Sequence, residues 1–165
     1  MKNRKKQHHE VQDYSLTSWN HKNAKLSDLF GKKKELILIH NMGKHCPMCT
    51  MWADGINGVL QHLKDRAAFV VVSPDPPTLQ KKFVHSRGWK FKMLSAQGSS
   101  FIKDMGFGTN EDPCPGVSVF HRKNGKIYRV AKDGFGPGDP YCIVYHFYDL
   151  LPGGAGNWRP KFKYL

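Results

Sequence analysis

Two cysteines separated by two residues are the clearest chemical feature of this sequence. Cys46 and Cys49 flank Pro47 and Met48. At the start of a helix, unpaired backbone N–H groups and the helix dipole stabilise an anion, which lowers the pKa of a thiol placed there. Proline suits a first helical turn, and the second cysteine follows one turn later. The spacing therefore predicts an exposed, nucleophilic Cys46 and a Cys49 that can resolve its mixed disulfide.

Two histidines lie close to this motif in the sequence. His40 ends an apolar run six residues before Cys46, and His45 immediately precedes that cysteine. A histidine can serve as a base near neutral pH, so both are candidate catalytic residues. Two alternatives stay open, because His40 also fits a hydrogen-bonded core position and His45 also fits an exposed loop. A protonated His45 would depress the pKa of Cys46.

The remaining cysteines, Cys114 and Cys142, lie far from the motif in the sequence. Three interpretations of Cys114 stay open: a third redox thiol, an inert buried thiol, or a zinc ligand. In the last case Cys46, Cys49, Cys114 and His45 would supply three sulfurs and one nitrogen. Cys142 is predicted to pack in the core. Apart from a redox-active disulfide we expect no cofactor, with zinc as the alternative.

The elements that must position these residues alternate between strands and helices. Continuous apolar runs predict buried strands, helical periodicity predicts amphipathic helices, and Asn124-Gly125 predicts a hairpin turn. Such an order indicates an α/β sheet with parallel pairings and an antiparallel edge. The predicted elements are a turn or helix at 27–30, strands at 35–40, 67–73 and 91–94, helices at 49–64, 77–88, 99–105 and 140–151, and a hairpin of 117–121 with 126–130.

The chain is long enough for one domain with a substantial core. We predict a mobile basic arm at 1–13, a domain at 14–151 and a loosely attached tail at 152–165. No segment has the length and hydrophobicity of a membrane span or a secretory signal, so we expect a cytoplasmic protein without a membrane partner. The last helix and the tail are candidates for contacts with another chain.

The net charge of +13 is the main compositional bias. Clustered lysines and arginines attract phosphate backbones, but here they are scattered and no nucleic-acid-binding motif accompanies them. A solvated basic surface is the favoured interpretation, with weak polyanion or nucleic-acid binding as the alternative. The expected partner is a protein or small-molecule disulfide.

The motif and its surroundings resemble the thioredoxin superfamily. More specifically, several stretches resemble thioredoxin-like proteins grouped as domain of unknown function 899. The resemblance implies an α/β thioredoxin-like fold, a central mixed sheet flanked by helices, with a peroxiredoxin-like insertion over 74–106 and an N-terminal extension. It also implies that Pro115 is a cis-proline facing the two cysteines. The matching stretches are Cys46-Pro-Met-Cys-Thr-Met-Trp-Ala-Asp54, Val70-Val-Val-Ser73, Arg87-Gly-Trp89 and Pro115-Gly-Val-Ser-Val-Phe120.

The two cysteines favour thiol–disulfide oxidoreductase activity, with two alternatives, while the resemblance bears more on the fold than on the reaction. One is a peroxiredoxin-like peroxidase, but aligning Cys49 with the peroxidatic cysteine puts Cys46 and Met42 where that family has threonine and proline. The other is a non-enzymatic metal- or polyanion-binding module. The site also departs from thioredoxins, which have tryptophan where this chain has His45 and a buried aspartate where it has His40.

Overall fold

The computed structural model describes residues 8–164. Its centre is one mixed sheet of eight strands, in the order β1-β8-β7-β4-β5-β6-β2-β3. The strands are β1 (His9–Val11), β2 (Ser15–Thr17), β3 (Asn23–Lys25), β4 (Glu35–His40), β5 (Ala68–Ser73), β6 (Lys92–Ser95), β7 (Gly116–Lys123) and β8 (Lys126–Gly134). The helices are a 3₁₀ helix at Leu26–Phe30 and α1 (Pro47–Gly58), α2 (Leu60–Arg66), α3 (Pro77–Arg87), α4 (Phe101–Asp104) and α5 (Ile143–Tyr148).

Strand β4 lies at the centre of the sheet and leads directly to the cysteine motif. It pairs in parallel with β5 and antiparallel with β7. Its side chains alternate between two cores, because Leu36 and Leu38 pack in one cluster while Ile37 and Ile39 pack with the other. The prediction of a strand buried on both faces is therefore confirmed.

The antiparallel hairpin forms as predicted, with β7 and β8 joined by Asn124 and Gly125. Both turn residues have positive φ, 51° and 74°, which is the requirement of a two-residue hairpin turn. The predicted parallel pairings are also present, since β4 pairs in parallel with β5 and β5 pairs in parallel with β6.

The helix after the motif is interrupted. We predicted one helix over 49–64, but α1 begins at Pro47 and ends at Gly58, and α2 begins at Leu60. Gly55 and Gly58 lower the helical preference here, and Val59 forms the junction. Helix α3 matches its prediction, since it begins at Pro77 and ends before Gly88, whose φ of 68° is left-handed.

The two ends of the chain differ from the arm and tail that we predicted. Residues 1–7 of the predicted arm lie outside the described residues, but His9–Val11 forms the edge strand β1 against β8. In the predicted tail, Trp158 packs edge-on against Tyr145 and Tyr148. The segments around His9–Val11 and Trp158 therefore pack against the rest of the fold.

Helix α5 is shorter than predicted, and its apolar face points outward. Ile143 and Phe147 are 63% and 59% exposed, and Leu150, just after the helix, is 79% exposed. Tyr145 and Cys142 are buried instead, with Trp52 of α1. The prediction that Cys142 packs in the core is confirmed. In the described part of the chain, no helix has the length and hydrophobicity needed to cross a membrane.

Candidate active site

The loop between β4 and α1 places the two cysteines at the carboxyl end of the central strand β4. Gly43 has a φ of 110°, and a Cβ there would lie 2.9 Å from a carboxylate oxygen of Asp75. That same carboxylate accepts a hydrogen bond from the backbone N–H of Lys44, at 2.7 Å. A residue from the β5–α3 loop thus holds the cysteine loop, and it can approach so closely only because residue 43 has no side chain.

Cys46 is the N-cap of α1, and its sulfur accepts the hydrogen bond that the sequence predicts for an anion at this position. The donor is the backbone N–H of Cys49, with an N–Sγ distance of 3.1 Å. The Cys49 thiol also donates to Cys46. This side-chain bond, with the backbone N–H groups of Cys49 and Met48, lowers the pKa of Cys46 to about 7 although burial opposes the shift.

The partner thiol has the opposite character. Donation to the Cys46 sulfur, together with burial, raises the pKa of Cys49 far above its ordinary value. At neutral pH the pair therefore consists of a Cys46 thiolate and a protonated Cys49. Both side chains are reduced in this structure.

Cys46 is less exposed than we predicted, because only 8% of its surface is accessible. It lines a cavity of about 250 Å³ that also contacts Cys49 and lies between α1 and the sheet. We call this space the thiol cavity. Its other lining residues are Ile39, His40, Asn41, Met42, Met48, Trp52, Ala53, Ile56, Val71, Phe91, Pro115, Phe135, Gly136 and Pro137.

His40 is a buried core residue at the end of β4. Its ring stacks on Phe107 at a centroid distance of 3.9 Å, and its Nε2 atom lies 2.9 Å from the Ser118 hydroxyl. Burial, with smaller contributions from Arg129 and Lys132, lowers the pKa of His40 to about 3. The imidazole is therefore neutral near pH 7, and its side chain packs with the core cluster on the sheet face opposite α1. Its Nδ1 atom has no hydrogen-bond partner among the described residues.

The structure does not assemble the alternative zinc site. His45 is exposed and does not line the thiol cavity, and Cys114 is also exposed. Within residues 8–164, no group of three or more histidine, cysteine, aspartate or glutamate side chains is arranged to hold a metal ion. The structure therefore does not bring Cys46, Cys49, Cys114 and His45 together as a ligand set in the described residues. Cys114 is exposed, so it is not the buried thiol of the second interpretation.

Pro115 lies where the resemblance placed it, but with a different peptide bond. It lines the thiol cavity together with both cysteines. No peptide bond in the described part of the chain is cis, so the expected cis-proline is a trans-proline here. The backbone N–H of Cys114, one residue earlier, donates a hydrogen bond to the carbonyl oxygen of Phe107.

Asp139 organises the loop that covers one side of the thiol cavity, a role that no sequence pattern predicts. Its carboxylate accepts hydrogen bonds from the Trp52 indole at 3.0 Å and from the backbone N–H groups of Gly136, Tyr141 and Cys142. The loop after β8 is thereby tied to α1, one turn beyond Cys49. Sequence reasoning described this glycine-rich segment only as a connection.

A second unpredicted cluster joins α1 to α3 and the C-terminal segment. Asp54 accepts from the Trp89 indole at 2.7 Å and pairs with Arg87, which also donates to the carbonyl oxygen of Phe162 at 2.7 Å. These residues lie in the stretches that carried the resemblance, so a signal was present, but their mutual contact was not foreseen. The cluster fixes the outer end of α1.

These features define a thioredoxin-like protein: the strand, the dithiol at the N-terminus of a helix, and the proline before the hairpin lie in one mixed sheet with flanking helices. The chain belongs to the family described as "Bacterial protein of unknown function (DUF899)", whose model matches residues 9–164. The predicted resemblance is therefore confirmed.

Solved structures with the same fold include peroxiredoxins. Peroxidoxin BcpB from Mycobacterium tuberculosis is 24% identical with a TM-score of 0.62, over 81% of this chain and 89% of that one. Peroxiredoxin Q from Xanthomonas campestris is 15% identical with a TM-score of 0.60, over 74% and 80%. An uncharacterised thioredoxin-like protein from Porphyromonas gingivalis is 21% identical with a TM-score of 0.57, over 75% and 79%. No curated protein matches the sequence significantly.

Proposed function

We propose that the protein is a thiol–disulfide oxidoreductase with Cys46 as its nucleophile and Cys49 as its resolving thiol. One observation carries the proposal: the Cys46 sulfur caps α1, accepts the Cys49 N–H at 3.1 Å, and has a pKa of about 7 instead of 9.0. A thiolate is the form that attacks disulfides, and attack is most efficient when the pKa lies near the ambient pH.

The reaction proceeds in two exchanges. The Cys46 thiolate attacks one sulfur of a substrate disulfide, whose S–S bond breaks, and the departing thiolate takes the proton of Cys49. The Cys49 sulfur then attacks Cys46, the mixed disulfide breaks, and the second substrate thiolate takes a proton from solvent. The substrate gains two electrons and two protons, and the protein retains a Cys46–Cys49 disulfide.

The unequal pKa values assign the order of these steps. Because the pKa of Cys49 is raised by its bond to Cys46 and by burial, Cys49 stays protonated while Cys46 is a free thiolate. Once Cys46 is consumed in a mixed disulfide, that stabilising acceptor charge is lost and the pKa of Cys49 falls. Neither step requires His40, whose imidazole packs on Phe107.

The test is reversible disulfide formation combined with cysteine variants. In a series of redox buffers, intact-mass and peptide analysis should find a disulfide between Cys46 and Cys49 whose fraction follows the buffer potential. Reduction of a peptide disulfide should be lost in Cys46→Ser, trapped as a mixed disulfide in Cys49→Ser, and unaffected in the exposed-cysteine control Cys114→Ser. Full activity of Cys46→Ser would contradict the proposal.

A peroxidase is the second candidate, favoured by the peroxidoxin and peroxiredoxin Q structures with this fold. Here the Cys46 thiolate would attack a peroxide oxygen, giving a Cys46 sulfenic acid and an alcohol or water, and Cys49 would condense with it to release water. Stoichiometric loss of hydrogen peroxide by reduced protein, absent in Cys46→Ser, would favour it. If Cys49 were the peroxidatic cysteine instead, Cys46 and Met42 would stand where the peroxiredoxin family has threonine and proline, which argues against that version.

A further inference from the structure

The thiol cavity has an enclosed apolar floor beneath the two cysteines. Its partly exposed lining residues mark its entrance, and they include Met42, Met48 and Pro115. Cys46 and Cys49 lie between this entrance and the interior. The buried apolar residues that line it are Ile39, Ala53, Ile56, Val71 and Phe91.

When Cys46 and Cys49 form a disulfide, the lining carries no charged side chain, although the whole chain has a net charge of +13. Its few polar groups are largely paired within the protein. The Asn41 amide oxygen accepts from Gly43, and the Trp52 indole donates to Asp139. His40 is neutral, with its Nε2 atom against Ser118. An ionic group entering this space would lose its hydration without gaining a countercharge, which is unfavourable.

A second cavity of about 290 Å³ continues the apolar space along the sheet. It shares three lining residues with the first: Ile39, Ile56 and Phe135. Lys132 and Asp133 are the charged residues that line it. The Lys132 ammonium lies 5.9 Å from the centre of the Phe107 ring, within the other core cluster, so its charge is directed to the opposite face of the sheet.

We infer that the thiol cavity binds an uncharged dithiol carried on an aliphatic chain, and that this molecule reduces the Cys46–Cys49 disulfide. The inference rests on the proposed function and adds the chemical class of the electron donor. Apolar pockets with few polar groups select ligands by shape and by hydrocarbon burial. An aliphatic dithiol that closes to a five-membered dithiolane ring meets both requirements, whereas glutathione carries several charges.

The reduction balances in two exchanges. A thiolate of the donor attacks Cys46 in the protein disulfide, the S–S bond breaks, and Cys49 leaves as a thiolate that takes up a proton. The second thiol of the donor then loses its proton and attacks the donor's first sulfur, which is bonded to Cys46 in the mixed disulfide. The dithiolane ring closes and the Cys46 thiolate is released. The donor loses two electrons, and the protein dithiol gains them.

The decisive experiment compares two donors that differ only in terminal charge. Preformed Cys46–Cys49 disulfide is mixed with dihydrolipoamide or with dihydrolipoate at physiological ionic strength, and its loss is followed by thiol labelling and mass spectrometry. The uncharged amide should react faster by about ten-fold, because the cavity offers the carboxylate no countercharge. The overall positive charge would favour the anion instead. Equal rates, or a faster carboxylate, would overturn the inference.

Two cavity variants and one control locate the effect. Ile56→Phe reduces the space, and Phe135→Ser replaces the apolar wall that both cavities share. Each should reduce the preference for dihydrolipoamide by about ten-fold. Phe162→Ser changes an aromatic residue outside the cavity and should keep the preference. If both cavity variants also keep it, the donor does not use this cavity.

Dithiothreitol separates the two proposals. It is a small uncharged dithiol whose short carbon chain carries hydroxyl groups and no alkyl tail, so it should reduce the disulfide at similar rates in the parent protein and in all three variants. Normal cycling with dithiothreitol but no discrimination between the two lipoyl donors would refute only the cavity inference. The absence of any reversible Cys46–Cys49 disulfide would refute the proposed function itself.

Discussion

The backbone N–H of Cys49 points at the sulfur of Cys46 from 3.1 Å. This contact exists because a cysteine at the N-cap of α1 takes the place of the oxygen that serine or aspartate would offer there. The first turn of α1 therefore stabilises the thiolate of Cys46. The first two predictions follow from this contact.

The alkylation rate of Cys46 should rise with pH around a midpoint near 7. Since the hydrogen bonds from Cys49 lower the pKa of Cys46 to about 7, the reactive thiolate forms about two pH units below the ordinary value. The measurement is iodoacetamide labelling of reduced Cys114→Ser protein, which removes the exposed competing thiol, between pH 5 and pH 10 as the working range. A midpoint near 9 would contradict the assignment.

Replacing Cys49 by alanine should raise the pKa of Cys46. The Cys49 thiol is the largest cause of the lowered value, and alanine removes that donor but keeps the backbone N–H. Cys49→Ser is the matched control, since its hydroxyl can still donate and should hold the pKa of Cys46 below that in the alanine variant. Thiolate absorbance at 240 nm during a pH titration measures both. Identical midpoints in the two variants would refute the role of this donor.

His40 should make the protein less stable in acid. Its pKa is about 3 when folded, so between about 6.5 and 3 the unfolded state binds the extra proton. The stability from neutral His40 is complete above pH 6.5 and decreases as the pH falls, by at most about 1.4 kcal/mol per pH unit. Urea unfolding from pH 4 to pH 7 should show a smaller pH slope for His40→Gln, although this variant is less stable at pH 7.

The control for this experiment is the exposed His62 on α2. His62→Gln should keep the pH slope of the parent protein. An unchanged slope in His40→Gln would mean that another buried group causes the acid sensitivity.

Asp139→Ala should detach the loop after β8 from α1. Four donors lose their acceptor, including the Trp52 indole and the N–H of Gly136. Because bonds to a charged group contribute more than neutral ones, we expect a loss of about 2–3 kcal/mol in the free energy of unfolding, measured by urea denaturation. Asp149→Ala, at an exposed position after α5, should change it by less than about 0.5 kcal/mol.

Gly43→Ala should destabilise the cysteine loop by about 2 kcal/mol. The new Cβ would meet the Asp75 carboxylate at 2.9 Å, and the φ of 110° is unfavourable for any side chain. Gly55→Ala is a control of opposite sign, because a Cβ at that helical position would have no atom within 4 Å. This substitution should increase the free energy of unfolding by up to about 1 kcal/mol. Equal effects of the two substitutions on thermal unfolding would show that Gly43 is not constrained.

The sequence predicted the elements whose signals are local. Strand β4 followed from a continuous apolar run, and the β7–β8 turn followed from Asn124-Gly125. Strands β1, β2 and β3 were missed because each has only three residues. Strand β1 is defined by pairing with the distant β8, whereas β2 and β3 form a short local hairpin that joins the sheet through the pair of Thr17 with Ser95. The exposed apolar face of α5 could not be foreseen, because periodicity alone does not distinguish a core-facing stripe from an exposed one.

The candidate site was predictable in part for the same reason. The i, i+3 spacing of the two cysteines fixed their relation to a helix start, which is a local property. The positions of Cys114 and His40 depended on how separate segments pack, so a zinc ligand set and a histidine base remained open at the level of the sequence. The structure leaves Cys114 exposed and stacks the His40 ring on Phe107. No local sequence pattern predicted the role of Asp139, because that role depends on the packing of its loop against Trp52 of α1.

Trp52 gives the protein an internal optical reporter. Its indole lies on α1 just after Cys49, stacks nearly parallel to Phe135 with an interplanar angle of 5°, and lines the thiol cavity. Disulfides quench nearby indole emission, so oxidation of the dithiol should dim this fluorophore without any added dye. The indole N–H of Trp52 donates to Asp139, and its NMR chemical shift should likewise change when a ligand occupies the cavity. Redox state and occupancy can thus be followed through one native side chain.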